Sequence, residues 1–244
     1  MKTLINVIVS LFCAQTFLSA GNLVTYSVDG KAYEGYVSAP TKSAPLVLIV
    51  HDWDGMNEYE MKRAQMLNDM GYAVFAVDLF GKGVKPVSID EKKALTGELY
   101  KDRTKMRKLL NAGFETAKAQ GLNGNNALII GYCFGGTAVL EMARSGANLK
   151  AFVSFHGGLV TPEGQDYALA KSPILVLHGT ADASVSMQEF AELAVELEKA
   201  GVKHEMITYS GAPHAFSVFG SDRYREDADK KSWARLGAFL KEVL

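Results

Sequence analysis

Cysteine is scarce in this chain, with two in 244 residues, at positions 13 and 133. That scarcity excludes a small secreted domain stapled by disulfides. Net charge is scarce too: 26 lysines and arginines stand against 27 aspartates and glutamates. Such a balance gives no overall attraction to nucleic acid or to an anionic membrane surface. Paired histidines at metal-ligand spacing are missing, so no metal is expected. His156, His178 and His204 fall in or at the ends of apparent strands, where hydrogen-bonded structural roles are common. Repeats, low-complexity segments and an interdomain linker are absent as well.

One apolar run stands at the start. Lys2 supplies a minimal basic region, Leu4 to Phe12 is apolar apart from Asn6 and Ser10, and Ser19-Ala20-Gly21 offers small residues for cleavage. Residues 1–20 read as a secretory signal peptide cut near Ala20/Gly21, leaving 21–244 as a single domain. The run is too short for a comfortable membrane span, and Cys13 follows a phenylalanine where a lipidation site wants a small residue. The expected product is exported, periplasmic or secreted, without stable membrane association. Cleavage removes Lys2 and Cys13, so the mature chain carries a formal charge of −2 and Cys133 alone. An unpaired thiol in an oxidising compartment is easier to explain by chemistry than by packing.

The sequence around that thiol is specific. Gly131-Tyr132-Cys133-Phe134-Gly135-Gly136 lies between the apolar run Ala127 to Ile130 and a helix-like stretch from Thr137 to Ala143. A strand ending in Gly-X-nucleophile-X-Gly and restarting as a helix is the nucleophile-elbow pattern, with cysteine in place of serine. Glycines are needed there because strand and helix approach too closely for a Cβ. A helix N-terminus favours the anionic thiolate, which is the reactive form.

The rest of the chain frames this turn. Leu23 to Ser27 and Lys31 to Ser38 flank Asp29-Gly30, which predicts an antiparallel hairpin at a sheet edge. Pro45 to Val50, Tyr72 to Val77, Ala127 to Ile130, Ala151 to His156 and Ile174 to Leu177 read as buried strands. His204 to Tyr209 is the last strand. Asn57 caps a helix to about Met70, a charged helical stretch runs from about Asp90 to Gln120, and Asn123 to Asn126 ends it. The basic run Lys101, Arg103, Lys105, Arg107 and Lys108 reads as a solvated face of that stretch. Ser186-x-x-Glu189 is a capping box opening another helix, and a final helix begins near Arg225. Strands alternating with helices specify an α/β fold with a mostly parallel central sheet covered on both faces.

Such sheets collect their chemistry at the carboxyl ends of strands. Asp182 follows the Ile174 strand and His214 follows the last one. The order Cys133, Asp182, His214 is the order of the α/β-hydrolase triad, with His214 as base and Asp182 as its orienter. Oxyanion donors are expected at the backbone N–H of Phe134 and, in the loop His51-Asp52-Trp53-Asp54-Gly55, at that of Trp53.

Taken together, Gly-Tyr-Cys-Phe-Gly-Gly, the His-Asp-x-x-Gly loop, Val77-Asp78-Leu79-Phe80-Gly81, Ser154-Phe155-His156-Gly157-Gly158, Gly179-x-x-Asp182 and Pro213-His214-x-Phe216 resemble the dienelactone hydrolase family from about Gly35 onward. The resemblance implies the α/β-hydrolase fold, a Cys133–Asp182–His214 triad, and hydrolysis of small esters or lactones through an acyl-enzyme without a cofactor. By position it also implies that Asp52 helps to generate the thiolate. Arginines that grip a substrate carboxylate in the dienelactone branch have only Lys82 as a counterpart here, which makes Lys82 the substrate-binding candidate and sets dienelactone itself apart. The expected partner is a small-molecule ester or lactone, with no nucleic acid, for a monomer or weak oligomer. A thioesterase or other acyl hydrolase, a peptidase, and a non-catalytic small-molecule binder on the same fold are the alternatives.

Overall fold

Apolar strands that bury both faces dominate the architecture. The computed structural model describes residues 21–244, so the signal peptide expected over 1–20 lies outside the described residues. The strands are β1 (Asn22–Val28), β2 (Lys31–Ser38), β3 (Pro45–Val50), β4 (Ala73–Val77), β5 (Asn123–Tyr132), β6 (Phe152–Phe155), β7 (Ile174–Gly179) and β8 (His204–Tyr209). The helices are α1 (Glu58–Asp69), α2 (Ile89–Lys101), α3 (Arg103–Ala119), α4 (Phe134–Arg144), α5 (Met187–Ala200) and α6 (Glu226–Val243). They build one mixed sheet in the order β1-β2-β4-β3-β5-β6-β7-β8. β1 and β2 are antiparallel, β2 is antiparallel to β4, and every pairing from β4 to β8 is parallel. The architecture is that of an α/β hydrolase, as expected.

The period of two along each central strand divides its side chains between two cores. Leu46, Leu48 and Val50 of β3 join one core while Val47 and Ile49 join the other; β7 divides Ile174 and Val176 from Leu175 and Leu177 in the same way. The first core is closed by Leu109 and Leu110 of α3, Val139 of α4 and Leu193 and Leu197 of α5. Leu67 of α1 and Leu236, Phe239 and Leu240 of α6 close the second. Truncating one of these leucines to alanine costs about 2–5 kcal/mol.

Local signals set the element ends. Asp29 and Gly30 have φ of 50° and 77°, the left-handed pair that a two-residue hairpin turn requires. Asn57 and Glu60 form a capping box at α1, and Ser186 and Glu189 another at α5. Three features differ from the sequence expectation. The charged stretch is two helices: Asp102 ends α2, and its carboxylate accepts the Lys105 N–H at 2.8 Å to start α3. Asn123 to Asn126 forms the outer end of β5, where Asn126 Nδ2 donates to the Leu244 carbonyl at 3.0 Å. Finally, the basic run is only partly solvated, because Arg103 and Arg107 reach Glu141 on α4, a fully buried carboxylate that also pairs with Arg144.

Candidate active site

β5, β7 and β8 deliver the three expected triad residues to one place. Cys133 sits between β5 and α4 with φ 52° and ψ −113°, a left-handed conformation that a non-glycine residue rarely adopts. The turn is as tight as its glycines suggest. A Cβ on Gly131 would lie 2.2 Å from the Gly135 carbonyl oxygen, and one on Gly135 would lie 2.2 Å from that of Val50. The thiol is partly exposed.

His214 Nε2 lies 3.0 Å from Cys133 Sγ, and its Nδ1 lies 2.8 Å from Asp182 Oδ2. The carboxylate holds the proton on Nδ1 and turns Nε2 to the sulfur. Asp182 is itself fixed, since its Oδ1 accepts the N–H groups of Ser184 and Val185 at 2.8 and 2.9 Å. Burial works against charge on both partners. Even so, the hydrogen bonds to Asp182 and Cys133 push His214 up to about 10, and His214 holds Asp182 below the usual carboxylate range. The arrangement therefore favours imidazolium over neutral imidazole at neutral pH.

The N–H of Phe134 opens α4, and neither it nor the N–H of Trp53 donates to an acceptor among the described residues. The close approach of Gly135 to the carbonyls of Val50 and His51 sets the loop after β3 against the first turn of α4. Asp52 in that loop is buried, and its Oδ1 accepts the Asp54 N–H at 2.7 Å rather than contacting the thiol. Burial raises its carboxyl to about 6. Lys82 pairs on the β1–β2 hairpin, its Nζ 2.8 Å from both Glu34 Oε1 and Thr25 Oγ1. Among the described residues no cluster of His, Cys, Asp and Glu converges as a metal-ligand set.

Two further residues border the site: Tyr100, which the sequence did not single out, and His156, which it read as a structural histidine. Tyr100 of α2 packs edge-on to Phe134, with ring centroids 5.5 Å apart; a tyrosine within a charged helical stretch carries no signal of that contact. His156, at φ 40°, accepts the Cys133 N–H on Nδ1 at 3.2 Å and faces the His214 ring at 5.4 Å. Burial, and then the neighbouring His214 charge, hold it well below the ordinary histidine value and therefore neutral. Its position directly after β6 was the one available hint.

Comparison with known proteins identifies the family. The dienelactone hydrolase family profile matches residues 33–244. The "Protein usf" of Aquifex pyrophilus is 26% identical over 92% of this chain and 99% of its own length. A Salmonella typhimurium protein provisionally named carboxymethylenebutenolidase is 26% identical over 90% of this chain and 86% of its own. The crystal structure of P91, described as a dienelactone hydrolase-like promiscuous phosphotriesterase from metagenomic libraries, is 27% identical, covers 91% of this chain and 98% of its own, and superposes with a TM-score of 0.85. With its matched span, its sheet and its assembled elbow, the chain belongs to the dienelactone hydrolase family, ester and lactone hydrolases of the α/β-hydrolase superfamily.

Proposed function

We propose that this chain is an exported cysteine hydrolase that cleaves small esters or lactones through an acyl-enzyme on Cys133. The observation that carries the proposal is the bridging position of His214, 3.0 Å from Sγ and 2.8 Å from Asp182. Sγ of the thiolate attacks the substrate carbonyl carbon, and the π electrons move to the carbonyl oxygen, which meets the N–H groups of Phe134 and Trp53. Collapse of this tetrahedral species expels the alkoxide, which takes the proton from His214 Nε2. The resulting thioester is then attacked by water; neutral His214 accepts the water proton, and the thiolate leaves as the acid is released. In a lactone the alkoxide stays tethered to the acyl group, so a hydroxy acid is the product.

Each donor has a stated share. A positioned acid–base group supplies typically about 10²–10⁴ in rate, and one oxyanion donor about 10²–10³. Export rests on residues 1–20 as read from sequence, and the expected partner is the small-molecule substrate alone.

Mature protein should hydrolyse short-chain aryl esters. Cys133→Ala and His214→Ala should abolish turnover, and Asp182→Asn should lower it by about 10²–10⁴, since the imidazole loses its orienter. Trapping the acyl group on the Cys133 peptide by mass spectrometry identifies the intermediate. Unchanged turnover in Cys133→Ala would remove the proposal.

A further inference from the structure

His51 directly follows β3 and is fully buried. Both of its ring nitrogens are engaged. Nε2 lies 3.1 Å from the Leu79 backbone nitrogen, which can only donate, so Nε2 is the acceptor and the ring proton sits on Nδ1. Nδ1 then donates to the carbonyl of Asp52, 2.6 Å away. Burial depresses the basicity of the ring and keeps this single tautomer neutral. The ring also packs at 4.6 Å from Phe80 and 6.1 Å from Phe134, which prevents it from turning away.

The bonded carbonyl belongs to the peptide linking Asp52 to Trp53. That peptide is trans, so its C=O and N–H point in opposite directions from one rigid plane. Anchoring the carbonyl to the ring therefore aims the Trp53 N–H away from it. We infer that His51 is a positioning residue, which orients the Asp52–Trp53 peptide so that the Trp53 N–H is preorganised to receive the developing oxyanion. The inference rests on the hydrolase reading above and extends it to a residue that never touches substrate.

Preorganisation matters because a donor already aimed at the oxyanion needs no reorientation when charge develops. Without His51 the only other donor to the Asp52 carbonyl among the described residues is the Gly55 N–H at 3.4 Å, a long bond within the same turn. The peptide would then be free to rotate, and the loss would appear in the transition state rather than in ground-state binding.

The test compares His51→Leu with His51→Gln in the mature protein. Glutamine carries a donor and an acceptor on one planar group and can reproduce both bonds; leucine reproduces neither. With a short-chain aryl ester, His51→Leu should lower kcat by about 10–100-fold with KM within about twofold, a partial loss of one oxyanion donor's share. His51→Gln should recover most of the lost kcat. Alkylation of Cys133 by iodoacetamide forms no oxyanion, so its rate should be the same in all three proteins. Equal kcat in folded His51→Leu, a glutamine variant no better than leucine, or an alkylation rate that falls together with kcat would each overturn the assignment. If His51→Leu does not fold, His51→Met serves: it fills the ring's space without a donor to the Asp52 carbonyl, and its kcat should fall below that of His51→Gln. Failure of the hydrolase reading is separately visible as turnover surviving Cys133→Ala.

Discussion

The backbone N–H of Cys133 lies 3.2 Å from Nδ1 of His156 and is shared with the Phe155 carbonyl at 3.0 Å. Because Nδ1 accepts, Nε2 carries the proton and donates to Ser217 Oγ at 2.8 Å, and Ser217 in turn meets the Tyr59 hydroxyl at 2.9 Å. The strained residue at the elbow is thus tied through two side chains to α1. Replacing His156 with leucine leaves Ser217 short of a buried donor and should cost about 1–3 kcal/mol in urea unfolding. Turnover should fall as well, because the elbow loses one of its two backbone anchors.

The same chain of contacts ends at a buried ion pair. Arg63 Nε donates to Tyr59 at 3.2 Å, Nη2 donates to the Ser217 carbonyl at 2.8 Å, and the same nitrogen pairs with Asp229 of α6. Its guanidinium lies 4.2 Å from the Phe219 ring centre and 4.8 Å from that of Trp233. Removing one partner leaves an uncompensated charge, so Asp229→Ala should destabilise by about 3–5 kcal/mol. An Arg63→Met/Asp229→Leu double variant should lose markedly less than Asp229→Ala alone, as equilibrium denaturation of all three proteins would show.

How much of this was readable beforehand follows from the range of each interaction. The strands and the triad were legible because their signals are local: continuous apolar runs, an elbow spelled in six residues, and Asp182 and His214 directly after strands. Arg63 gave no warning, since its partners Ser217 and Asp229 lie more than 150 positions away. Glu141 was hidden because Arg103 and Arg107 reach it from a different helix, and so the basic run that contains them read as solvent-facing. Lys82 was assigned from position along the chain, but its neighbours Thr25 and Glu34 belong to the hairpin, whose packing over the end of β4 no linear spacing reveals.

Gly135 offers a test of the elbow's geometry. An added Cβ would sit 2.2 Å from the Val50 carbonyl oxygen and 2.6 Å from that of His51, both backbone atoms of the buried strand end. Neither can yield without moving β3 or α4. Gly135→Ala should therefore destabilise by more than about 3 kcal/mol or prevent folding. Gly164, with open space around it and φ of 76°, is the control: Gly164→Ala should lose only about 1 kcal/mol of backbone strain. Similar melting temperatures for the two variants would contradict the contact.

Asp52 predicts a pH dependence of stability. Burial raises its carboxyl from 3.8 to about 6, so the folded state binds this proton more tightly than the unfolded chain does. Its contribution is full below the unfolded value and is lost as pH rises through about 6. The difference corresponds to at most about 3 kcal/mol at roughly 1.4 kcal/mol per unit. Asp52→Asn should accordingly gain stability over the parent at pH 7 and gain little at pH 3.5, in thermal melts at matched ionic strength. If Asp52 also promotes the thiolate, the same variant loses turnover at pH 7 despite its greater stability.

His214 predicts where activity ends on the alkaline side. In the proposed reaction its Nε2 proton is delivered to the leaving alkoxide, so the competent form carries that proton on His214. Burial opposes that form, but the hydrogen bonds to Asp182 and Cys133 hold the histidine at about 10. Activity that needs the protonated ring persists below this value and falls as pH rises through it. The alkaline limb of kcat/KM should thus lie near 10, well above the ordinary histidine value of 6.5. Asp182→Asn removes the carboxylate hydrogen bond and its charge, so in that variant the limb should move downward by at least about one unit, as expected when an opposite charge is lost. A profile measured from pH 5 to 11 on both proteins locates the limb. Activity that instead rises with pH through about 6.5 with no alkaline limb near 10, or a limb indifferent to Asp182→Asn, would mean that His214 reacts as a neutral base.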